Sequence, residues 1–128
     1  MIDGVDTGFF LCPQRRKNPI ALTVWEEREI VTSVIVLYEI GKKLLQGHLK
    51  QRPSIMEDLS IAVSPVILTK DIARNAAHLR HKHGLSGLDA LILSSLLDAK
   101  VRHIYTTDPH FELYKGKDAE IINLPTER

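Results

Sequence analysis

Four carboxylates stand in positions where acids could act together. Asp6 follows the apolar start IDGV, Glu39 lies within TSVIVLYEI, Asp89 comes three residues after Ser86, and Asp108 follows IYTT. Each also has a local explanation. Asp6 can cap the turn at Thr7-Gly8, and Glu39 can pair with Lys43 one helical turn on. Asp89 completes a variant capping box with Ser86, and Asp108 can cap a helical turn opened by Pro109. Capping does not predict that all four should meet at one edge of one sheet. Anionic carboxylates brought within a few ångströms repel one another, and no Lys or Arg is embedded in these motifs to neutralise them. A divalent cation would do so. Hard oxygen ligands, with no Cys and no paired His, favour Mg²⁺ or Mn²⁺ over zinc. Such an ion polarises a phosphate oxygen and acidifies water, so hydrolysis of a nucleic-acid backbone is the leading chemistry.

The elements that must position these acids can be read from pattern and punctuation. Residues 2–11 give a short strand stopping near Asp6-Thr7-Gly8, with Gly4 and Gly8 as turn residues. After the basic turn Arg15-Arg16-Lys17, Asn18 caps a helix with Pro19 at its first position, running to about Arg28. The β-branched run from Glu29 to Ile35 predicts a second strand, continued by a helix over 36–46 that Gly47 ends. Ser54 and Glu57 have capping-box spacing for a short helix to about Ser60, and 62–68, interrupted by Pro65, can be only an edge strand. Thr69 caps a helix to His83 that Gly84 closes, with Ile72, Ala76 and Leu79 on one face. Ser86 caps a helix over 87–99 with an inner stripe of Leu88, Leu91, Ile92, Ser95, Leu96 and Ala99. A strand over 102–107, a helical turn from Pro109 to Tyr114 and a last strand over 120–124 complete the chain. Strands alternating with helices predict a three-layer α/β/α domain with a mostly parallel sheet. In such folds ligands sit beyond the carboxyl ends of the strands.

Composition bounds the partners. The 128 residues, 44% of them hydrophobic, suit a single domain over 1–128. Seventeen Lys and Arg against sixteen Asp and Glu leave a net charge of +1, so any nucleic acid must be met by a local patch. The lone Cys12 excludes an internal disulfide and Cys-rich zinc sites and fits a reducing cytoplasm. No apolar run reaches the roughly 18 residues of a membrane helix, and the start of the chain lacks a basic signal-peptide region. His78, His81 and His83 read as a polar helix face and Phe9, Phe10 and Trp25 as core anchors; Arg15-Arg16-Lys17 could hold a phosphate and Arg74, Arg80 and Lys82 could line a neighbouring face, with solvated surface the favoured reading of both sets.

The segments VDTGFFL, TSVIVLYEI, GLSGLDALILSSLL and IYTTDPHF resemble, in order and spacing, the four acidic motifs of the PIN domain, and especially those of VapC-type toxin ribonucleases. The resemblance implies a Rossmann-like fold with a central parallel sheet, Mg²⁺- or Mn²⁺-dependent cleavage of RNA, a small antitoxin partner and a homodimer. It places Asp6, Glu39, Asp89 and Asp108 in the metal-binding catalytic quartet, and Thr106 as the hydroxyl residue two before the last acid. The chain departs from the pattern at Gly8, where Asn or Ser is usual, at Pro13 and Pro19 in the first-helix region, and at Pro109 after the fourth acid. Two other readings compete: a non-catalytic PIN-fold module for RNA binding or assembly, and an RNA-processing nuclease without an antitoxin. A phosphoryl-accepting receiver domain would want adjacent acids after the first strand and a Lys after the last, and the chain has neither.

Overall fold

Ile2–Val5 forms β1, and every residue of it after Ile2 is buried, as befits a central strand covered on both faces. This computed structural model describes residues 2–11, 19–27 and 29–124. The other strands are β2 (Glu29–Ser33), β3 (Ser64–Val66), β4 (His103–Thr106) and β5 (Glu120–Asn123), in the order β3-β2-β1-β4-β5. All four pairings are parallel. Helices α1 (Thr7–Leu11), α2 (Pro19–Glu27), α3 (Val34–Leu45), α4 (Ile55–Ala62), α5 (Lys70–His83) and α6 (Gly87–Asp98) flank the sheet. The α/β/α architecture is the one expected from the sequence. The chain leaves β1 towards β2 and leaves β4 towards β5, on opposite sides, so the carboxyl ends of β1 and β4 border the crevice at the switch of strand order.

Gly4 lies inside β1 rather than marking a turn. A methyl group there would stand 3.1 Å from both Leu96 Cδ atoms and 3.2 Å from Val101 Cγ2, so the missing side chain lets α6 settle against the central strand. Helix α6 packs on β2 and α3 on one side and on α5 on the other. It is therefore buried more widely than a single stripe. Ala90, Ile92, Leu93, Ser94, Ser95 and Leu96 are buried, whereas Leu88, Leu91 and Ala99 are only half-buried. Two serines suit this setting because both are satisfied: Ser94 Oγ donates to Ile72 O at 2.7 Å and Ser95 Oγ to Leu91 O at 2.8 Å.

Several boundaries differ from the sequence reading for identifiable reasons. Thr7–Leu11 is helical because the Asp6 carboxylate accepts from Phe9 N at 3.1 Å, capping a turn that buries Phe9 and Phe10. The predicted second strand is cut short at Ser33, whose hydroxyl accepts from Ile35 N at 3.1 Å and draws Val34 and Ile35 into α3. Ser54 makes no side-chain cap to the backbone, so the capping box with Glu57 is not formed, and α4 runs on to Ala62. Thr69, Gly84 and Ser86 behave as predicted: Thr69 accepts from Ile72 N, Gly84 is left-handed at φ 76°, and Ser86 accepts from Asp89 N. Cys12, Pro13, the Arg15-Arg16-Lys17 turn, the Asn18 cap and Arg28 lie outside the described residues.

Phe9, Phe10 and Trp25 are the expected anchors. The two Phe rings meet edge to face at 5.6 Å, Trp25 stacks tilted on Phe9 at 6.4 Å, and it meets Phe10 edge to face at 6.3 Å. Among the described residues no helix is long and apolar enough to cross a membrane.

Candidate active site

The four acids reach one end of the sheet by four different routes. Asp6 is the residue after β1, Glu39 sits in the second turn of α3 directly after β2, Asp89 lies in the first turn of α6, and Asp108 is two residues past β4. Thr106 ties two of them together. Its hydroxyl donates to Asp6 Oδ2 at 2.5 Å and accepts from Asp108 N at 2.9 Å. Because Thr106 is fully buried at the end of β4, the strand itself fixes both acids.

Two of the acids also accept from a local backbone donor, so their capping explanations hold alongside the joint one. Asp6 caps α1, and Asp108 Oδ1 accepts from His110 N at 2.9 Å at the start of the 3-10 turn Pro109–Leu113. Glu39 departs from expectation. It accepts from Thr7 Oγ1 at 2.5 Å, which links α3 to the end of β1, and the Glu39–Lys43 ion pair is not formed. The fixed hydroxyl of Thr7 offers a partly buried partner in place of a mobile, solvated ammonium group.

Electrostatics show the acids acting on one another. Burial pushes the Asp6 carboxyl from 3.8 up to about 7; hydrogen bonds from Thr106 and Phe9 N oppose the shift, and the charges of Asp108 and Asp89 add to it. Asp89 is also raised, first by burial, with Ser86 and His110 lowering it and Asp108 and Glu39 raising it. The side chains share an edge and feel each other's charge, yet among the described residues no three His, Cys, Asp or Glu are gathered at metal-ligating spacing. The donor chemistry fits a hard divalent cation: oxygen ligands only, and a buried carboxylate whose ionised form lacks a counter-charge.

Beside Asp89 an open groove of about 750 Å³ runs between α5 and the 3-10 turn, bordered by Arg80, His81, Ser86, His110 and Leu113. His110 Nδ1 lies 2.9 Å from Asp108 Oδ1, and Arg80 Nη1 donates to Leu85 O at 3.0 Å. The groove places Arg80, for which the sequence left open a face neighbouring the site, and His81, read as part of a polar helix face, beside Asp89. Thr7 and His110 were missed altogether, although each stands within two residues of an acid. The remaining histidines of α5 do not join them: His78 is exposed, and the ring of His83 packs on Tyr114 at 5.1 Å.

Comparison with known proteins agrees with this fold. The family model for the PIN domain matches residues 5–117. No curated protein sequence matches significantly. Among solved structures, VapBC2 from Rickettsia felis, bound to a DNA fragment from its promoter, superposes with a TM-score of 0.73 at 16% identity, covering 98% of this chain and 100% of that one. VapBC-5 from Mycobacterium tuberculosis gives 0.74 at 21% identity over 95% and 98% of the two chains. VapC20 from Mycobacterium tuberculosis, a toxin that cleaves the Sarcin-Ricin loop, gives 0.66 at 21% identity over 86% and 92%. With a family match across most of its length, the parallel sheet the family requires and four ordered acids at its carboxyl edge, the chain belongs to the PIN domain family.

Proposed function

We propose that the chain is a metal-dependent endoribonuclease of the VapC type, working as one domain over residues 1–128 in the cytoplasm. The observation that supports this reading is that Asp6, Glu39, Asp89 and Asp108 all fall towards the carboxyl end of the sheet, with the Asp6 and Asp89 carboxyls raised chiefly by burial and in part by neighbouring acids. Those four acids would hold Mg²⁺ or Mn²⁺. When bound, the ion supplies Lewis acidity towards a phosphate oxygen and lowers the pKa of water.

The protein's own part is positioning. Thr106 locks Asp6 and Asp108 to the end of β4, and Thr7 locks Glu39 to the end of β1, so the acids are held before substrate arrives. Arg80 and His81 line the adjoining groove and meet the RNA backbone there, which provides the local patch that a chain of net charge +1 needs. Mutual repulsion among the acids disfavours an unneutralised phosphate, which is the charge a cation held by them would offset.

The same reading gives the chain a small antitoxin partner, a proposal supported by the VapBC toxin-antitoxin structures it resembles, and a homodimeric state, which rests on the sequence resemblance to VapC-type toxins alone. Expression without the partner is expected to slow growth, and co-expression of the adjacent small reading frame is expected to reverse it. Unimpaired growth together with RNA cleavage in vitro would replace the toxin with a processing nuclease.

A further inference from the structure

Gly8 leaves a notch beside Asp6, and Thr107 fills it. A Cβ on Gly8 would stand 2.2 Å from Thr107 Oγ1, 3.5 Å from Thr107 Cβ and 3.5 Å from Asp6 Oδ1. Gly8 lies in helical backbone that any residue adopts, so space rather than conformation is what a side chain there lacks. The hydroxyl of Thr107 therefore occupies the place that the first side-chain atom of residue 8 would take.

Three threonines border the acids, and two are committed. Thr7 donates to Glu39, and Thr106 donates to Asp6 while accepting from Asp108 N. Thr107 is half-buried, and its hydroxyl makes no hydrogen bond among the described residues. A phosphodiester approaching the carboxylates meets repulsion, and a neutral donor beside Asp6 is what its non-bridging oxygens can use without adding a charge that competes with a cation. We propose that the Thr107 hydroxyl contacts the substrate, donating a hydrogen bond to a non-bridging oxygen of the phosphodiester lying over Asp6. A polar side chain at position 8 would otherwise reach the same oxygen. The proposal rests on the nuclease reading and names one of its substrate contacts.

The test combines cleavage with equilibrium binding. Thr107→Val keeps the shape and removes the donor, and should lower kcat/KM with Mn²⁺ by about 10- to 100-fold without lowering the melting temperature. Thr107→Ser should retain most of the activity, and adding Gly8→Ser to Thr107→Ala should recover it by returning a hydroxyl to the same notch. Anisotropy of a labelled single-stranded RNA in Ca²⁺ should show Thr107→Val binding about 10-fold more weakly than wild type. If wild type cuts no RNA, the nuclease reading fails and the binding comparison still decides the contact. Equal affinity of wild type and Thr107→Val, undiminished cleavage by Thr107→Val, or equal losses in the Val and Ser variants would overturn the proposal.

Discussion

Asp6→Asn is expected to lower RNA cleavage by at least about 100-fold while raising the melting temperature measured in chelator. Asn has nearly the volume of Asp, and its side-chain carbonyl can still accept from Phe9 N, so the cap on α1 survives. What it removes is a negative charge in a site where Asp6 is only 3% exposed and faces Asp89 and Asp108. The rise from 3.8 to about 7, at about 1.4 kcal/mol per unit, means the ionised form costs the folded state roughly 4 kcal/mol at neutral pH. Weakening the charge-assisted bond from Thr106 offsets part of that gain, since such bonds contribute about 1.5–3 kcal/mol. Asp89→Asn should behave alike with a smaller stability change, because Asp89 is half-buried and its shift is eased by Ser86 and His110. A fall in melting temperature with a proportionate fall in activity would make these acids structural instead.

The second large effect is a stability that depends on pH in an unusual direction. Asp6 has a folded value above its unfolded one, so the folded chain binds the extra proton and the penalty of ionising Asp6 is absent below about pH 4. It grows as pH rises and is complete by about pH 7. Most acids that are paired in a fold give the opposite slope. The difference in unfolding free energy between wild type and Asp6→Asn, measured by denaturant titration in chelator, isolates this group from all others. Wild type should lose ground to the variant by a few kcal/mol between about pH 4 and pH 7. Mn²⁺ should close the gap at the upper end, because a cation stabilises the ionised carboxylate. A pH-independent difference would remove the electrostatic strain assigned to the site.

The sequence carried the order of elements well where a local signal agreed with the tertiary one. Thr69, Gly84 and Ser86 bracket α5 and α6 by cap chemistry that needs no partner elsewhere, and both helices lie where those residues put them. The shared edge of Asp6 and Asp108 followed from topology: once strands alternate with helices, residues just past β1 and β4 must lie at the same end of the sheet. Contacts between distant segments were not legible. Phe9-Phe10 has strand-like composition, and only the cap from Asp6 turns it helical. The Glu39 carboxylate had a sequence neighbour in Lys43 and chose Thr7, 32 residues away. Gly8 looked like a turn residue or a departure from the family pattern, and its reason is the hydroxyl of Thr107 arriving from β4.

The most direct measurement is incubation of purified, partner-free protein with a panel of structured RNAs, with Mg²⁺, with Mn²⁺ and in chelator, beside Asp89→Asn prepared identically. Cleavage by wild type that needs the divalent ion and is lost in Asp89→Asn is the predicted result. RNA left intact by wild type in both metals, or cut equally well by the variant or in chelator, would contradict a metal-dependent nuclease built on these acids.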